Sequence, residues 1–167
     1  IAIFMDNSPR YFEVLWAAQR SGLRFTAISS KLTAGEVEYI VKDCGAKALI
    51  TSKGVEDVAL EIAPLVPGVA LFMTDGTAGP YKSFEEARSA FPATPIADEG
   101  AGGSMLYSSG TTGRPKGVKR EITGKDPIDA TMGLGALGGM LYGWTPDSVY
   151  LSPAPLYHAA PLGWTMG

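Results

Sequence analysis

The chain has 167 residues, 46% hydrophobic and 19% charged, with enough apolar material for a packed core and too little charge for a disordered segment. Lysine and arginine number 14 against 17 acidic residues, a net charge of −3 with no basic run, which excludes the footprint of a non-specific nucleic-acid binder. One cysteine and one histidine exclude a disulfide framework and a Cys/His zinc cluster.

Taken from the start, Ile1 to Met5 reads as a buried strand, closed by the turn formers Asp6-Asn7-Ser8-Pro9. Pro9 opens a helix capped by Ser8, with Phe12, Leu15, Trp16 and Gln19 at helical spacing and Gly22 as the stop. Arg24 to Ser29 is a second strand. Thr33-Ala34-Gly35-Glu36 is a capping box, followed by Val37, Ile40, Val41 and Cys44 on one helical stripe and by the stop Gly45. On that stripe Cys44 reads as a buried, inert thiol. Ala48 to Thr51 is a third strand, Val55 to Val66 a helix interrupted at Pro64, and Val69 to Thr74 a fourth strand.

Strand and helix in alternation with short connections predict α/β architecture, a parallel sheet covered by helices. Asp75 to Glu99 is polar and irregular, a surface excursion with a short helix over Ser83–Ala90, where Ser83 and Glu86 repeat the capping-box spacing. The organisation reads as one domain: strand–helix repeats over 1–74, the excursion over 75–103, and a third part over 104–167. Both ends read as cut from a longer protein, since each falls in or beside an apolar run. The uncharged stretch from Ala130 to Thr145 is shorter than the roughly 18–20 residues of a membrane span. No secretion signal opens the chain, so the expected compartment is the cytosol.

Of the 21 glycines, 12 lie between Gly100 and Gly143, a density that suits close backbone approach to a ligand or to another segment. Within it, the strand Ser104-Met105-Leu106-Tyr107 runs into Ser108-Ser109-Gly110-Thr111-Thr112-Gly113-Arg114-Pro115-Lys116-Gly117, after which Val118-Lys119-Arg120 resumes a strand pattern. Backbone N–H groups freed by glycines form an anion nest, hydroxyls donate to phosphate oxygens, and a lysine offsets their charge. No Gly-Lys-[Ser/Thr] triplet opens a helix here, which sets the loop apart from that of P-loop NTPases.

In order as well as composition, Tyr107 to Val118 resembles the signature phosphate loop of the adenylate-forming superfamily, the acyl-CoA synthetases, luciferases and peptide-synthetase adenylation domains. Ile1 to Pro9 is similar to the family's early strand and Asn-Ser-Pro turn. Lys31 to Glu36, Cys44-Gly45-Ala46-Lys47 and Pro155-Leu156-Tyr157-His158-Ala159-Ala160-Pro161 match further segments. The chain departs from the family at Met105-Leu106-Tyr107, where isoleucine or leucine is frequent. It departs again at Glu121 to Pro127, where a histidine-containing segment is common.

The resemblance implies part of the large N-terminal domain of an acyl-CoA synthetase-like fold, with the mobile C-terminal lid domain beyond Gly167. It implies ATP with Mg2+, a small-molecule carboxylic acid (fatty or aromatic) and coenzyme A as second substrate. Ser108, Ser109, Gly110, Thr111, Thr112, Gly113, Lys116 and Gly117 would hold the phosphates, with Arg114 left in solvent. Lys116 and His158 would be catalytic, and Tyr157 with His158 would wall the acid pocket. The metal would draw no ligand from these residues, and the 167 residues alone would not form the adenylate. Trp164 either lines that pocket or packs; Gly133, Gly135, Gly138 and Gly139 either make room for an acyl chain or let helices approach. Two alternatives accompany this reading: an amino-acid adenylation domain of a peptide synthetase, and a non-catalytic nucleotide-binding scaffold.

Overall fold

The computed structural model describes residues 1–108, 114–119, 121–123, 126–128 and 133–167. Thirteen elements carry the fold: β1 (Ala2–Phe4), α1 (Pro9–Arg20), β2 (Arg24–Ile28), α2 (Ala34–Asp43), β3 (Ala48–Ser52), α3 (Glu56–Ile62), β4 (Ala70–Thr74), β5 (Lys82–Ser83), α4 (Phe84–Ser89), β6 (Gly103–Tyr107), β7 (Gly117–Lys119), α5 (Gly133–Tyr142) and α6 (Ala159–Met166). Seven strands form one sheet in the order β5-β4-β3-β1-β2-β6-β7. All pairings are parallel except β6–β7, which is an antiparallel hairpin.

Side-chain alternation along β1 divides the core. Ala2 and Phe4 pack with Val37, Ile40 and Val41 of α2 and with Ala59 and Ile62 of α3. Ile3 and Met5 pack on the other face with Tyr11, Val14 and Leu15 of α1 and with Leu156 and Leu162. A period of two thus sends neighbouring residues to opposite helical layers, and a central strand flanked by β2 and β3 is apolar throughout because both its faces are covered.

The helix ends follow their local chemistry. One Glu36 carboxylate oxygen accepts from the Thr33 N–H at 2.8 Å and from its hydroxyl at 2.7 Å, and these bonds hold that carboxyl below its usual range. Gly45, at φ 65°, closes α2 in a Schellman turn, with Ala46 N–H donating to Val41 C=O and Gly45 N–H to Lys42 C=O. Ser8 occupies the N-cap of α1 but its side chain caps nothing. Its hydroxyl is buried without a partner among the described residues. Cys44 is half-buried, with its Sγ donating to Val41 C=O.

Two expectations change. The helix expected over 55–66 is α3 flanked by 3-10 turns at Lys53–Val55 and Ala63–Leu65, the second containing Pro64, because a proline inside a helix removes a donor and clashes with the preceding turn. The 75–103 excursion is also more than surface. Tyr81 is buried, its hydroxyl donates to Ala59 C=O at 2.7 Å, and burial raises its pKa to about 12. Next to it β5 extends the sheet, and the Ser83 hydroxyl accepts from Glu86 N–H while donating to Glu85.

At the far end of the excursion, Gly100 to Gly103 runs against the C-terminus of α1. Gly22 N–H donates to Gly100 C=O, Gly102 N–H to Gln19 C=O and Gly103 N–H to Leu23 C=O. A Cβ at Gly102 would stand 2.3 Å from Leu23 O and 2.8 Å from Ala18 O, so only glycine lets this strand enter the sheet.

Candidate functional site

β6 runs parallel to β2, and β2 parallel to β1, so the C-terminal ends of all three open on one edge of the sheet. In open α/β sheets that edge is where ligands bind. Ser108 leaves β6 there and Lys116 enters β7. Tyr107 pairs with Gly117, and the Ser108 N–H donates to Lys116 C=O at 3.0 Å. The hairpin therefore brings Ser108 and Lys116 side by side as its mouth, both exposed. Ser109, Gly110, Thr111, Thr112 and Gly113, expected in the same loop, lie outside the described residues. Gly117 has a packing reason: a Cβ would meet Met105 Cε at 2.4 Å and Tyr107 Cζ at 3.0 Å.

Helix α2 holds both legs of this hairpin, which sequence reading missed. The Tyr107 hydroxyl donates to the Asp43 carboxylate. Burial raises the Tyr107 pKa and that hydrogen bond raises it further, so the hydroxyl remains a donor. On the second leg the Tyr39 hydroxyl donates to Pro115 C=O at 3.1 Å. The Arg114 guanidinium is exposed but lies 5.2 Å from the Tyr39 ring centroid, a cation–π contact. A tyrosine at this helical position, off the Val37-Ile40-Val41 stripe, was the available signal.

Tyr157 and His158 are brought together, with ring centroids 4.5 Å apart and planes at 54°. Tyr157 is half-buried against the α1-side core. His158 is the exposed N-cap of α6; its C=O accepts from Leu162 N–H at 3.0 Å. They follow Leu156, whose N–H donates to Asn7 Oδ1 just past the end of β1. A cavity of about 370 Å3 lies between α1, β6 and α6, lined by Trp16, Phe25, Ser104, Leu134, Leu162 and Met166 among others. Tyr157 and His158 are not in that lining. Glu121, Ile122 and Asp126, from the segment that departs from the family pattern, are.

Trp164 packs. Its ring meets Trp144 edge-on at 5.7 Å and Tyr142 at 6.1 Å. Two of the helical glycines serve close approach: a Cβ at Gly135 would stand 2.1 Å from Gly167 O, and one at Gly138 2.4 Å from the Trp144 ring, whereas one at Gly139 would meet only Trp144 O at 3.8 Å. Among the described residues no group of three or more His, Cys, Asp or Glu side chains gathers to hold a metal. No helix among them is long and apolar enough to cross a membrane.

The family described as "AMP-binding enzyme" matches residues 1–167. The human mitochondrial malonate–CoA ligase ACSF3 is 26% identical over 160 residues, 95% of this chain and 26% of that protein. The long-chain-fatty-acid–CoA ligase FadD13 of Mycobacterium tuberculosis is 31% identical over 124 residues, 71% of this chain and 24% of that protein. Among solved structures, apo MbtA of Mycobacterium smegmatis superposes with a TM-score of 0.71 at 27% identity, covering 98% of this chain and 30% of that one. A structure described as a long-chain-fatty-acid CoA ligase of Rhodopseudomonas palustris shares the fold with a TM-score of 0.76 at 20% identity, covering 99% and 40%. The chain spans about a quarter to a third of the length of the curated relatives it matches. With its whole length matched, its sheet order and its hairpin, the chain belongs to the AMP-binding enzyme family.

Proposed function

We propose that the full-length protein is an ATP-dependent acid–thiol ligase that makes an acyl-adenylate from a fatty or aromatic acid and passes the acyl group to coenzyme A. The observation that carries this reading is the hairpin mouth, where Ser108 and Lys116 meet at the C-terminal edge of the sheet. In the first step a carboxylate oxygen bonds to the α-phosphorus of ATP, and the bond to the bridging oxygen of pyrophosphate breaks. In the second, a thiolate bonds to the acyl carbon and AMP leaves. The chain's part in the first step is electrostatic: the Lys116 ammonium and the Ser108 hydroxyl hold the β- and γ-phosphates while charge builds on departing pyrophosphate.

Ser109, Thr111 and Thr112 would add hydroxyl donors, and Gly110 and Gly113 backbone N–H groups. Tyr157 and His158 would wall the acid, the histidine presenting its imidazole to the carboxylate. Magnesium, when bound, neutralises phosphate charge. The described residues provide no carboxylate or imidazole cluster for it.

A second reading keeps the adenylation and changes the acceptor to a carrier-protein thiol. It is favoured by relatives named as an L-proline–carrier-protein ligase, 31% identical over 129 residues, and a fatty acid–acyl-carrier-protein ligase, 26% identical over 169 residues.

The test is carboxylate-dependent ATP–pyrophosphate exchange by the full-length protein with fatty, aromatic and amino acids, beside Lys116→Ala. Exchange with a fatty or aromatic acid is expected, with a fall of about a hundredfold in the variant. Exchange with amino acids alone moves the assignment to the adenylation-domain class. Nucleotide binding without exchange on any acid points to the scaffold, and an unaffected Lys116→Ala removes the lysine from the chemistry.

A further inference from the structure

Asn7 lies three residues beyond Phe4, past the C-terminal end of β1, the strand between β3 and β2. Although the residue is exposed, both ends of its side-chain amide are engaged across the molecule. Nδ2 donates to Ala154 C=O at 3.1 Å, and Oδ1 accepts from Leu156 N–H at 2.9 Å. A carbonyl needs a donor and an N–H needs an acceptor, so only one orientation of the amide satisfies both. The side chain thereby does what a peptide unit does in a ladder, binding the C=O and N–H that flank Pro155.

The segment it binds has no regular structure of its own. Residues 149–155 form neither helix nor strand, and Pro153 and Pro155 supply no N–H. Immediately afterwards the chain becomes ordered by burial: Leu156 is 3% exposed and packs with Ile3, Met5 and Tyr11. The His158 N–H then donates to Pro155 C=O at 3.2 Å, and α6 begins at Ala159. The amide clamp thus stands one residue before Tyr157 and two before His158, and it joins them to the central strand of the sheet.

We propose that Asn7 is a positioning residue that sets the placement of the Tyr157–His158 pair at the acid side of the reaction. The inference rests on the ligase reading above for its catalytic consequence, and on the two hydrogen bonds alone for the clamp. Neither Ala154 nor Leu156 offers a side-chain hydrogen bond to replace the amide. Aspartate at position 7 keeps the acceptor for Leu156 N–H but faces Ala154 C=O with a second acceptor, whereas alanine loses both bonds.

The experiment compares Asn7→Ala and Asn7→Asp with the wild type, all full-length. Deuterium uptake is read over residues 154–158, and KM is measured for the acid and for ATP in pyrophosphate exchange. Asn7→Ala is expected to lose about tenfold in protection of the segment and to raise the acid KM about tenfold, with the ATP KM within twofold of wild type. Asn7→Asp should fall between them. Unchanged uptake in Asn7→Ala overturns the clamp, whether or not the wild type exchanges with any acid. Faster uptake with equal changes in both KM values, or none, overturns the positioning role. Failure of the wild type with every acid, with the uptake difference intact, falls on the ligase reading and removes the catalytic half of the inference.

Discussion

Residues 1–74 bury most of their apolar side chains, some of them against Leu156 and Leu162, whereas residues 133–167 carry many of theirs on the outside. In the first region Ile3, Phe4, Leu49 and Ile62 have no exposed surface. In the second, Met140 is 84% exposed, Leu151 80% and Val149 99%. The patterning of one helix from each region differs in the same sense. Helix α2 sets Val37, Ile40 and Val41 against a polar back of Glu36, Glu38 and Lys42, so its sequence specifies which face turns inward. Helix α5 reads Gly-Leu-Gly-Ala-Leu-Gly-Gly-Met-Leu-Tyr and has no polar face to set against the apolar one. Its close contacts come from small and large residues alike, Gly135 on Gly167 and Gly138 on Trp144, Tyr142 on Trp144 and Trp164.

Substitutions can break or sharpen this contrast. Leu49→Ala, in the sheet interior, should cost about 2–5 kcal/mol in urea unfolding of the 167-residue chain. A loss below about 1 kcal/mol would mean that the first region is as loosely packed as the second. Tyr107→Phe removes the donation to Asp43 at the boundary between the regions, and should cost roughly 0.5–1.5 kcal/mol. If it costs nothing, Asp43 does not hold the hairpin. Met140→Gln should change stability by less than about 0.5 kcal/mol, and a loss of core size there would reverse the comparison.

The four strands and three helices of residues 1–74 were legible from strand runs, helical stripes and stop signals, although the third helix is shorter than its stripe, with 3-10 turns at both ends. The capping box at Thr33–Glu36 and the turn at Gly45 are local devices and could be read as such. What could not be read joins distant segments. The two-residue β5 carries no apolar alternation, and the pairing of β6 with β2 leaves no mark in either strand. At the candidate site the order of residues from Ser108 to Gly117 indicated a phosphate loop, and the structure brings its two ends together. The ties from Tyr39 and Asn7 were hidden because hydrogen bonds to a backbone C=O or N–H place no demand on the identity of the partner, and the Tyr107–Asp43 pair because 64 residues separate its members. Glu121 and Ile122 stood out only as a departure from the family pattern, and they line the cavity beside α6.

The β2–β6 pairing has a consequence for biosynthesis. Gly103 meets Arg24 across about 80 residues of intervening chain, a closure roughly 1 kcal/mol more costly in entropy than that joining β1 to β2. At about 5–20 residues per second, a ribosome takes roughly 4–16 seconds to make that stretch. Throughout that interval β2 presents an unpaired edge, the kind of template on which a second nascent chain can add a strand. The arrival of Gly103 ends that exposure and, in the same event, gives the hairpin its place, so the vulnerable edge of the nascent protein and the candidate ligand edge of the finished one are settled together.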